Sequence, residues 1–232
     1  MPKPSHSDIE KSVARNKNRD KLFAVLGLLA TFIGMLTLAA LLADLAINGF
    51  ARLQPHFFTS YPSRFAGQAG ILSAWVGTIL VMIVTAAAAI PIGIAAGVYL
   101  EEYAPKNWFT ALIEINIANL AGVPSIVYGL MALGLFVYQF RFGQSILSAG
   151  LTLALLILPI VIVATRESIR AVPGSMREAA YALGATKWQT TSDHVLPYSM
   201  GGILTGVIIG LSRAIGETAP LITIGALTFI AF

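Results

Sequence analysis

The chain has 232 residues, of which 56% are hydrophobic and only 11% are charged, and its mean hydropathy is +0.78. A soluble domain carries about 25% charged residues and needs polar side chains to cover its surface. The composition therefore excludes an ordinary soluble domain and predicts an integral membrane protein. The sequence contains no cysteine, which excludes a disulfide framework, a thiolate metal site and a cysteine nucleophile. Its three histidines are scattered, so the sequence predicts no metal site.

The N-terminal part of the chain divides into three segments. Residues 1–21 are polar and contain six basic residues; we interpret them as a disordered, solvated cytoplasmic tail, since a nucleic-acid-binding arm would be denser in basic residues. Residues 22–47 form an apolar run that exceeds the about 20 residues needed to cross a bilayer and the about 7–15 of a signal peptide. We expect an uncleaved first transmembrane helix there, and a turn-rich periplasmic loop at residues 48–70.

Residues 71–232 alternate between long apolar stretches and shorter polar connections. We predict four further spans, at residues 71–100, 111–140, 146–165 and 197–217. Residues 122–125 interrupt the second of these; the interruption is typical of a simple helix kink, or alternatively of an irregular backbone that lines a transport pathway. The apolar stretch after residue 196 is too long for one crossing, so we expect a break near Pro220 and an apolar continuation beyond it. The predicted fold class is an all-α polytopic bundle with five spans, and we expect a sixth, returning helix to be missing from this chain.

The distribution of lysine and arginine predicts the orientation, because cytoplasmic loops of membrane proteins are enriched in these residues. With the N-terminus in the cytoplasm, eleven basic residues lie inside and three lie outside. The inside group comprises those of the tail, Lys106 and four in the polar segment 166–196; the outside group is Arg52, Arg64 and Arg141. We therefore predict a cytoplasmic N-terminus and a cytoplasmic segment 166–196.

This cytoplasmic segment contains signals for two short helices. Ser175 and Glu178 match a capping box, in which a serine hydroxyl and a glutamate three residues later bond each other's free amides. Gly184 suits the left-handed position at the end of the first helix, and Thr186 and Gln189 repeat the capping pattern for a second. A compact knob of this kind is compatible with a hairpin on the lipid surface, with a docking site for a partner, or with a DNA-binding helix-turn-helix.

The same segment resembles the EAA motif of ABC-importer permeases. The residues that carry the resemblance are Glu178, Ala179, Ala180, Gly184, Leu196 and Pro197. The chain departs from the family pattern at His194, where an aliphatic residue is usual. In that family the loop forms coupling helices that fit into a cleft of the ATPase subunit. The resemblance therefore implies an ATPase-coupling loop and a type I ABC-importer permease fold over residues 71–232.

Further stretches resemble the phosphate-specific (Pst) permeases of that superfamily. They cover residues 97–105, 121–129 and 211–220. The Pst system pairs two related permeases, and Ser212 together with Thr218-Ala219-Pro220 is similar to PstA rather than PstC. The resemblance implies a permease subunit of an ATP-driven phosphate importer in a bacterial inner membrane. Its implied partners are a PstC-like permease, a PstB-like ATPase dimer and a PstS-like phosphate-binding protein.

The sequence has no phosphate-cradling GxxxxGK[ST] loop. We therefore expect no cofactor and no enzymatic activity on this chain, and we expect ATP and magnesium on the partner ATPase. Two other functions stay open. One is an ABC permease for phosphonate, molybdate or an amino acid. The other is a secondary transporter or an intramembrane enzyme, although a proton-coupled transporter would carry more intramembrane carboxylates.

Two charged residues lie inside the last apolar stretch. Arg213 and Glu217 are four residues apart on the predicted fifth helix, so both project from one face and can reach each other. Each charged group near a helix centre costs about 2.5–3.5 kcal/mol on insertion. We interpret the pair either as a structural salt bridge that locks the fifth helix to its neighbours, or as part of the translocation pathway. In the pathway, the arginine would bind phosphate oxygens in two-point contact.

Overall fold

The structure is a computed structural model that describes residues 6–50, 53–65 and 67–225. All regular structure in these residues is helical. The chain divides into two compact units, residues 1–59 and residues 60–232. Four described helices are long and apolar enough to cross a membrane, and a bent pair of helices would make a fifth span. This agrees with the predicted all-α bundle of five spans.

The first unit contains two described helices, α1 (His6–Gly49) and α2 (Pro55–Thr59). Helix α1 has 44 residues and includes the whole apolar run predicted as the first span. The prediction of a disordered tail is wrong from His6 onward, because the helix already begins there. A helix is costly to nucleate but easy to extend, so the apolar run can propagate helix into flanking polar residues, several of which are good helix formers.

The second unit contains eight described helices. They are α3 (Leu72–Val98), α4 (Trp108–Leu120), α5 (Ser125–Ala132), α6 (Ile146–Arg170), α7 (Gly174–Ala182), α8 (Lys187–Thr190), α9 (Leu196–Gly216) and α10 (Ala219–Ile224). Three of them continue into a wider π-helical turn: α3 into Tyr99–Tyr103, α5 into Leu133–Gln139 and α8 into Thr191–Val195. Helices α3 and α6 coincide with the predicted second and fourth spans, although α6 extends further, to Arg170.

The third predicted span is broken into two helices. Helix α4 and helix α5 with its π-helical turn meet at a bend of 103° next to Pro124. The interpretation as a simple kink is therefore wrong, because the backbone between the two helices is irregular. The Gly122 N–H donates to Asn119 O at 3.0 Å, and the Tyr128 hydroxyl donates to Leu120 O at 2.8 Å. Because Tyr128 is buried, its ring fixes the end of α4 against α5.

The fifth predicted span is longer than expected at its N-terminal end. Helix α8, its π-helical turn and α9 form one continuous helix, Lys187–Gly216. The prediction of a second short helix separate from the fifth span is therefore wrong. Pro197 lies in the first turn of α9, and the wider turn before it leaves room for the carbonyl that its ring would otherwise meet. The predicted break is present before Pro220, and the expected continuation beyond residue 225 lies outside the described residues.

Helix α6 is the centre of the second unit, and α3 and α9 pack on it through glycines. Membrane helices approach closely where one of them carries a small residue. A methyl group at Gly97 of α3 would lie 2.6 Å from the Cβ of Thr165 on α6, and one at Gly206 of α9 would overlap the Cβ of Ala164. These contacts leave no room for a side chain, so they set the spacing and register of the three helices.

We predict that Gly206→Val destabilises the chain, whereas Gly201→Val, on the same helix, does not. A methyl group at Gly201 meets no atom within 4 Å, and both substitutions change helix propensity equally, so their difference isolates packing. Overpacking costs about 1–3 kcal/mol, which should lower the midpoint of thermal unfolding in detergent only for the Gly206 variant. Equal midpoints for the two variants would contradict the close approach of α9 to α6.

Candidate functional site

The segment between α6 and α9 holds four of the six residues of the EAA resemblance, and the other two, Leu196 and Pro197, begin α9. Helix α7 starts directly after Pro173, whose backbone is extended (φ −56°, ψ 134°), and no side chain caps it. The predicted capping box of Ser175 and Glu178 is therefore wrong, since Ser175 already lies inside the first turn. Pro173 fixes φ and directs the chain into the helix two residues earlier than the serine pattern predicts. Ala180 is buried, whereas Glu178 and Ala179 are exposed.

Helix α7 ends at Ala182, and Gly184 follows it in the predicted left-handed position. This residue has a φ of +83°. Its N–H donates to Tyr181 O at 2.9 Å, and the Ala185 N–H donates to Ala180 O at 3.1 Å. This is the Schellman arrangement, in which a left-handed residue lets two amides bond the last carbonyls of a helix. Because glycine alone adopts this conformation without steric cost, Gly184 sets the angle between α7 and α8.

Helix α8 begins with the predicted capping box. The Thr186 N–H donates to Gln189 Oε1 at 2.8 Å, and the Gln189 N–H donates to Thr186 Oγ1 at 3.3 Å. The remaining EAA residues follow where this helix passes into α9; Leu196 is half-buried and Pro197 is exposed. The motif is therefore distributed over α7, the turn after it and the first turn of α9.

Large apolar side chains are exposed on the outer side of this segment. Leu183 is 90% exposed, Trp188 is 65% exposed and Tyr181 is 44% exposed. Single exposed apolar residues are common on proteins, but several grouped at one helix junction and rimmed by polar residues are typical of an interaction site. This arrangement is compatible with the predicted alternative of a docking site for a partner.

Charged contacts anchor the inner side of the segment to the end of α3. Arg177 of α7 donates to Glu102 Oε1 at 2.8 and 3.1 Å, and to two carbonyls at the end of α6 at 2.9 and 3.0 Å. The Glu102 side chain is 8% exposed, so water screens this ion pair little. Lys187 of α8 adds a second link, because its Nζ lies 5.0 Å from the centre of the Tyr103 ring.

Two further carboxylates share the arginines of α6. Arg170 donates to both oxygens of Glu101, from Nε at 3.2 Å and from Nη2 at 3.0 Å. Arg166 Nη2 lies 3.5 Å from Glu101 and 2.7 Å from Glu114 of α4. The ends of α3 and α6 and the middle of α4 therefore meet in one charged cluster, beside the anchored segment.

The sequence alone predicts no role for Glu101, Glu102 and Glu114. A signal for them exists in the sequence, since several arginines between residues 166 and 177 follow an apolar span and need counter-charges. The acidic residues nearest to the ends of the neighbouring predicted spans are these three. The pairings join residues 52 to 75 positions apart, which a single sequence does not reveal.

The predicted pair of Arg213 and Glu217 is in contact. Arg213 Nε lies 3.4 Å from Glu217 Oε1, and the two side chains are 36% and 18% exposed. The prediction that both belong to the fifth helix is wrong for Glu217, because α9 ends at Gly216 and Glu217 is extended (φ −86°, ψ 114°). The pair therefore lies at the opposite end of α9 from Leu196 and Pro197, and Arg213 is about 25 Å from Leu196 along the helix at 1.5 Å per residue.

A cavity of about 420 Å³ lies between α3, α6 and α9 at the end where α6 begins. Its polar lining consists of Ser73, Thr78, Gln144 and Ser145. Ala214 also lines it, next to Arg213 in the chain, but neither Arg213 nor Glu217 does. In the described part of the chain, no three side chains come together that could hold a metal ion.

Comparison with known proteins gives the family. Residues 89–230 match the family described as "Binding-protein-dependent transport system inner membrane component". The chain is 34% identical to "Probable ABC transporter permease protein YqgI" of Bacillus subtilis and 35% identical to "Phosphate transport system permease protein PstA" of Yersinia pestis; each match covers 91% of this chain and 72% of the relative. It is 40% identical to "Phosphate transport system permease protein PstA 1" of Mycobacterium tuberculosis over 70% of this chain and 53% of the relative. The chain therefore belongs to the binding-protein-dependent transport system inner membrane component family, and it is a multi-pass membrane transport subunit.

Proposed function

We propose that this chain is a permease subunit of an ATP-driven importer of inorganic phosphate in a bacterial inner membrane. The observation that carries the proposal is the segment between α6 and α9, which is anchored through Arg177 and presents Leu183 and Trp188 outward. The proposed substrate rests on the relatives that are phosphate transport permeases. The proposed partners are a PstC-like permease, a PstB-like ATPase dimer that binds ATP and magnesium, and a PstS-like binding protein.

Contacts within the segment favour a protein partner over DNA or a lipid surface. Arg177 and Lys187 are engaged with Glu102 and Tyr103 of this chain, so they are not free to neutralise nucleic-acid phosphates. A helix that lies on a membrane buries an apolar face along several turns. Helix α7 has only nine residues and exposes Glu178, so its apolar side chains suit a shaped cleft better than a flat lipid surface.

The orientation proposed from the basic residues places the segment 166–196 in the cytoplasm. The contacts of Glu101 and Glu102 with Arg170 and Arg177 support part of this assignment, because they bring the end of α3 and this segment to the same side. Lys106 follows this end of α3 in the chain and belongs to the basic residues of the inside group.

The orientation can be tested by labelling single cysteines in this cysteine-free chain. We predict that a membrane-impermeant maleimide labels Leu183→Cys only from the cytoplasmic side and Tyr61→Cys only from outside. Both positions are exposed, so access to the membrane face decides the result. Labelling of Leu183→Cys from outside in intact cells would refute both the orientation and the proposed docking to an ATPase.

The docking proposal predicts that the wild-type chain co-purifies with an ATPase and a second permease, and that phosphate with its binding protein stimulates ATP hydrolysis. Gly184→Val should weaken this association, because a β-branched residue is strained at a φ of +83°. The strain costs about 1–2 kcal/mol and should weaken ATPase binding by about 5- to 30-fold.

Gly174→Val is the matched control for that substitution. A methyl group meets no atom within 4 Å at either glycine, but Gly174 does not have a positive φ. The control should therefore bind the ATPase like the wild type. Equal binding of the ATPase by both variants would contradict the role of the α7–α8 angle. If phosphonate or molybdate stimulated ATP hydrolysis and phosphate did not, that anion would replace phosphate as the proposed substrate.

Arg213 is the proposed phosphate contact in the translocation pathway. Its ion pair with Glu217 joins two residues of one local segment rather than two helices, so it cannot lock the fifth helix to a neighbour in the described part of the chain. At 3.4 Å the contact is long for a charge-assisted hydrogen bond, and a third of the arginine side chain is exposed. An anion can therefore displace Glu217 and accept two bonds from the guanidinium.

We predict that Arg213→Gln abolishes phosphate uptake while assembly with the ATPase persists. The apolar double variant Arg213→Met/Glu217→Met should insert normally, since a buried ion pair is often dispensable for folding, and should be equally inactive. Uptake of labelled phosphate by vesicles that contain the whole transporter measures both effects. Uptake near the wild-type rate in the double variant would contradict the proposed role of Arg213 in the pathway.

A further inference from the structure

Arg166 is held by fewer bonds than its burial demands. The residue is 8% exposed, and its Nε has no hydrogen-bond partner. Both of its ion pairs use one nitrogen, Nη2. A buried guanidinium has five N–H donors and is stabilised only when most of them are satisfied. Arg177, by contrast, donates to a carboxylate and to two carbonyls. Anchoring alone therefore does not account for Arg166.

The two carboxylates around Arg166 belong to different helices and differ in their other partners. Glu114 lies on α4, 2.7 Å from Nη2, and is 34% exposed. Glu101 lies on the turn after α3, 3.5 Å from the same nitrogen, and Arg170 already bonds both of its oxygens. Arg166 can therefore shift between them without leaving either carboxylate both buried and unpaired.

A series of ion pairs connects the segment between α6 and α9 to α4 through this arginine. Arg177 of α7 binds Glu102, and Glu101 precedes Glu102 in the same π-helical turn. A displacement of α7 therefore moves both carboxylates. Glu101 contacts Arg166, and Arg166 contacts Glu114. The ion pair between Arg166 and Glu114 joins α4 to α6 at the centre of the unit.

We propose that Arg166 is a positioning residue for transport, which passes a displacement of α7 on to α4, the first half of the broken span. The proposal rests on the proposed function, because binding of ATP by the partner ATPase is what displaces α7. When the turn after α3 moves with α7, the distance from Glu101 to Arg166 changes. The guanidinium then shifts between Glu101 and Glu114, and α4 follows through Glu114.

Arg166→Gln tests this connection from α7 through Arg166 to α4, called the link below, in membrane vesicles that contain the whole transporter. This variant should fold, because Glu101 keeps Arg170 and Glu114 is accessible to water, so no carboxylate is left buried and unpaired. ATP hydrolysis and the bound ATPase should persist, while phosphate taken up per ATP hydrolysed should fall about tenfold, within the usual range of coupling between two sites. An unchanged ratio would overturn the proposal.

Two further variants separate the link from a general loss of charge. Glu114→Gln should lower the ratio as Arg166→Gln does, and the double variant should be no worse than either, because both remove the same contact. Glu167→Gln is the control, since Glu167 is 61% exposed and pairs only with Arg170 among the described ion pairs. The control should keep the wild-type ratio. Additive losses in the double variant would contradict a shared link.

A distance measurement gives a readout that does not depend on transport. Spin labels at Leu112→Cys on α4 and Ile146→Cys on α6 occupy exposed positions in a chain without native cysteine. The distance between them should differ between the nucleotide-free and the ATP-bound transporter, and Arg166→Gln should abolish that difference. Arg166→Lys should retain it, because lysine still pairs with Glu114.

The outcomes distinguish the link from the proposed function. A full-size distance change in Arg166→Gln, or no change in the wild type, would overturn the link. If the wild type shows the ATP-dependent change but takes up no phosphate, the proposed substrate fails and the link stands.

Discussion

The close packing of α6 against α3 and α9 is the contact on which the rest of the second unit depends. Lipid is as apolar as a leucine side chain, so membrane helices gain little from burying apolar surface against each other and are held by direct contact and hydrogen bonds. Gly97 and Gly206 allow that contact on the two sides of α6. Because α6 is fixed between its neighbours, its last turn is brought to the end of α3. Arg170 and Glu101 can meet only as a consequence of this packing.

Arg166 of α6 and Arg177 of α7 lie near this end of α6, and they use a poorly hydrated charge in two different ways. Removing a charge from water costs several kcal/mol, which is offset only when its hydrogen bonds are satisfied. Arg177 meets this condition, with Glu102 and two carbonyls as acceptors, so it holds α7 in place. Arg166 does not meet it, since Nε is unpartnered and Nη2 is shared. The saturated arginine is an anchor, and the unsaturated one has room to exchange partners.

Local sequence signals predicted the elements that depend on local physics. The long apolar runs gave the spans, and the left-handed turn at Gly184 was predicted because only glycine suits it. The capping box at Ser175 failed because Pro173 starts the helix earlier, so a stronger local constraint overrode a weaker one. The contacts of Arg166 with Glu101 and Glu114 could not be predicted, since they depend on how distant helices pack. The fold class was therefore accessible from the sequence, whereas most of the charged cluster was not.

Two routes lead from the segment between α6 and α9 to the two places where the backbone of the bundle is broken. The first is covalent: α8 continues as Lys187–Gly216 and ends beside Glu217, where the chain becomes extended. The second is ionic and passes through Arg166 to α4, whose end is the break before Pro124. A continuous helix moves as one rigid body, whereas ion pairs can exchange partners. The same displacement of α7 is therefore transmitted to the two breaks in different ways. The break beside Arg213 therefore moves together with α9. The break after α4 moves only while Arg166 keeps its ion pair with Glu114.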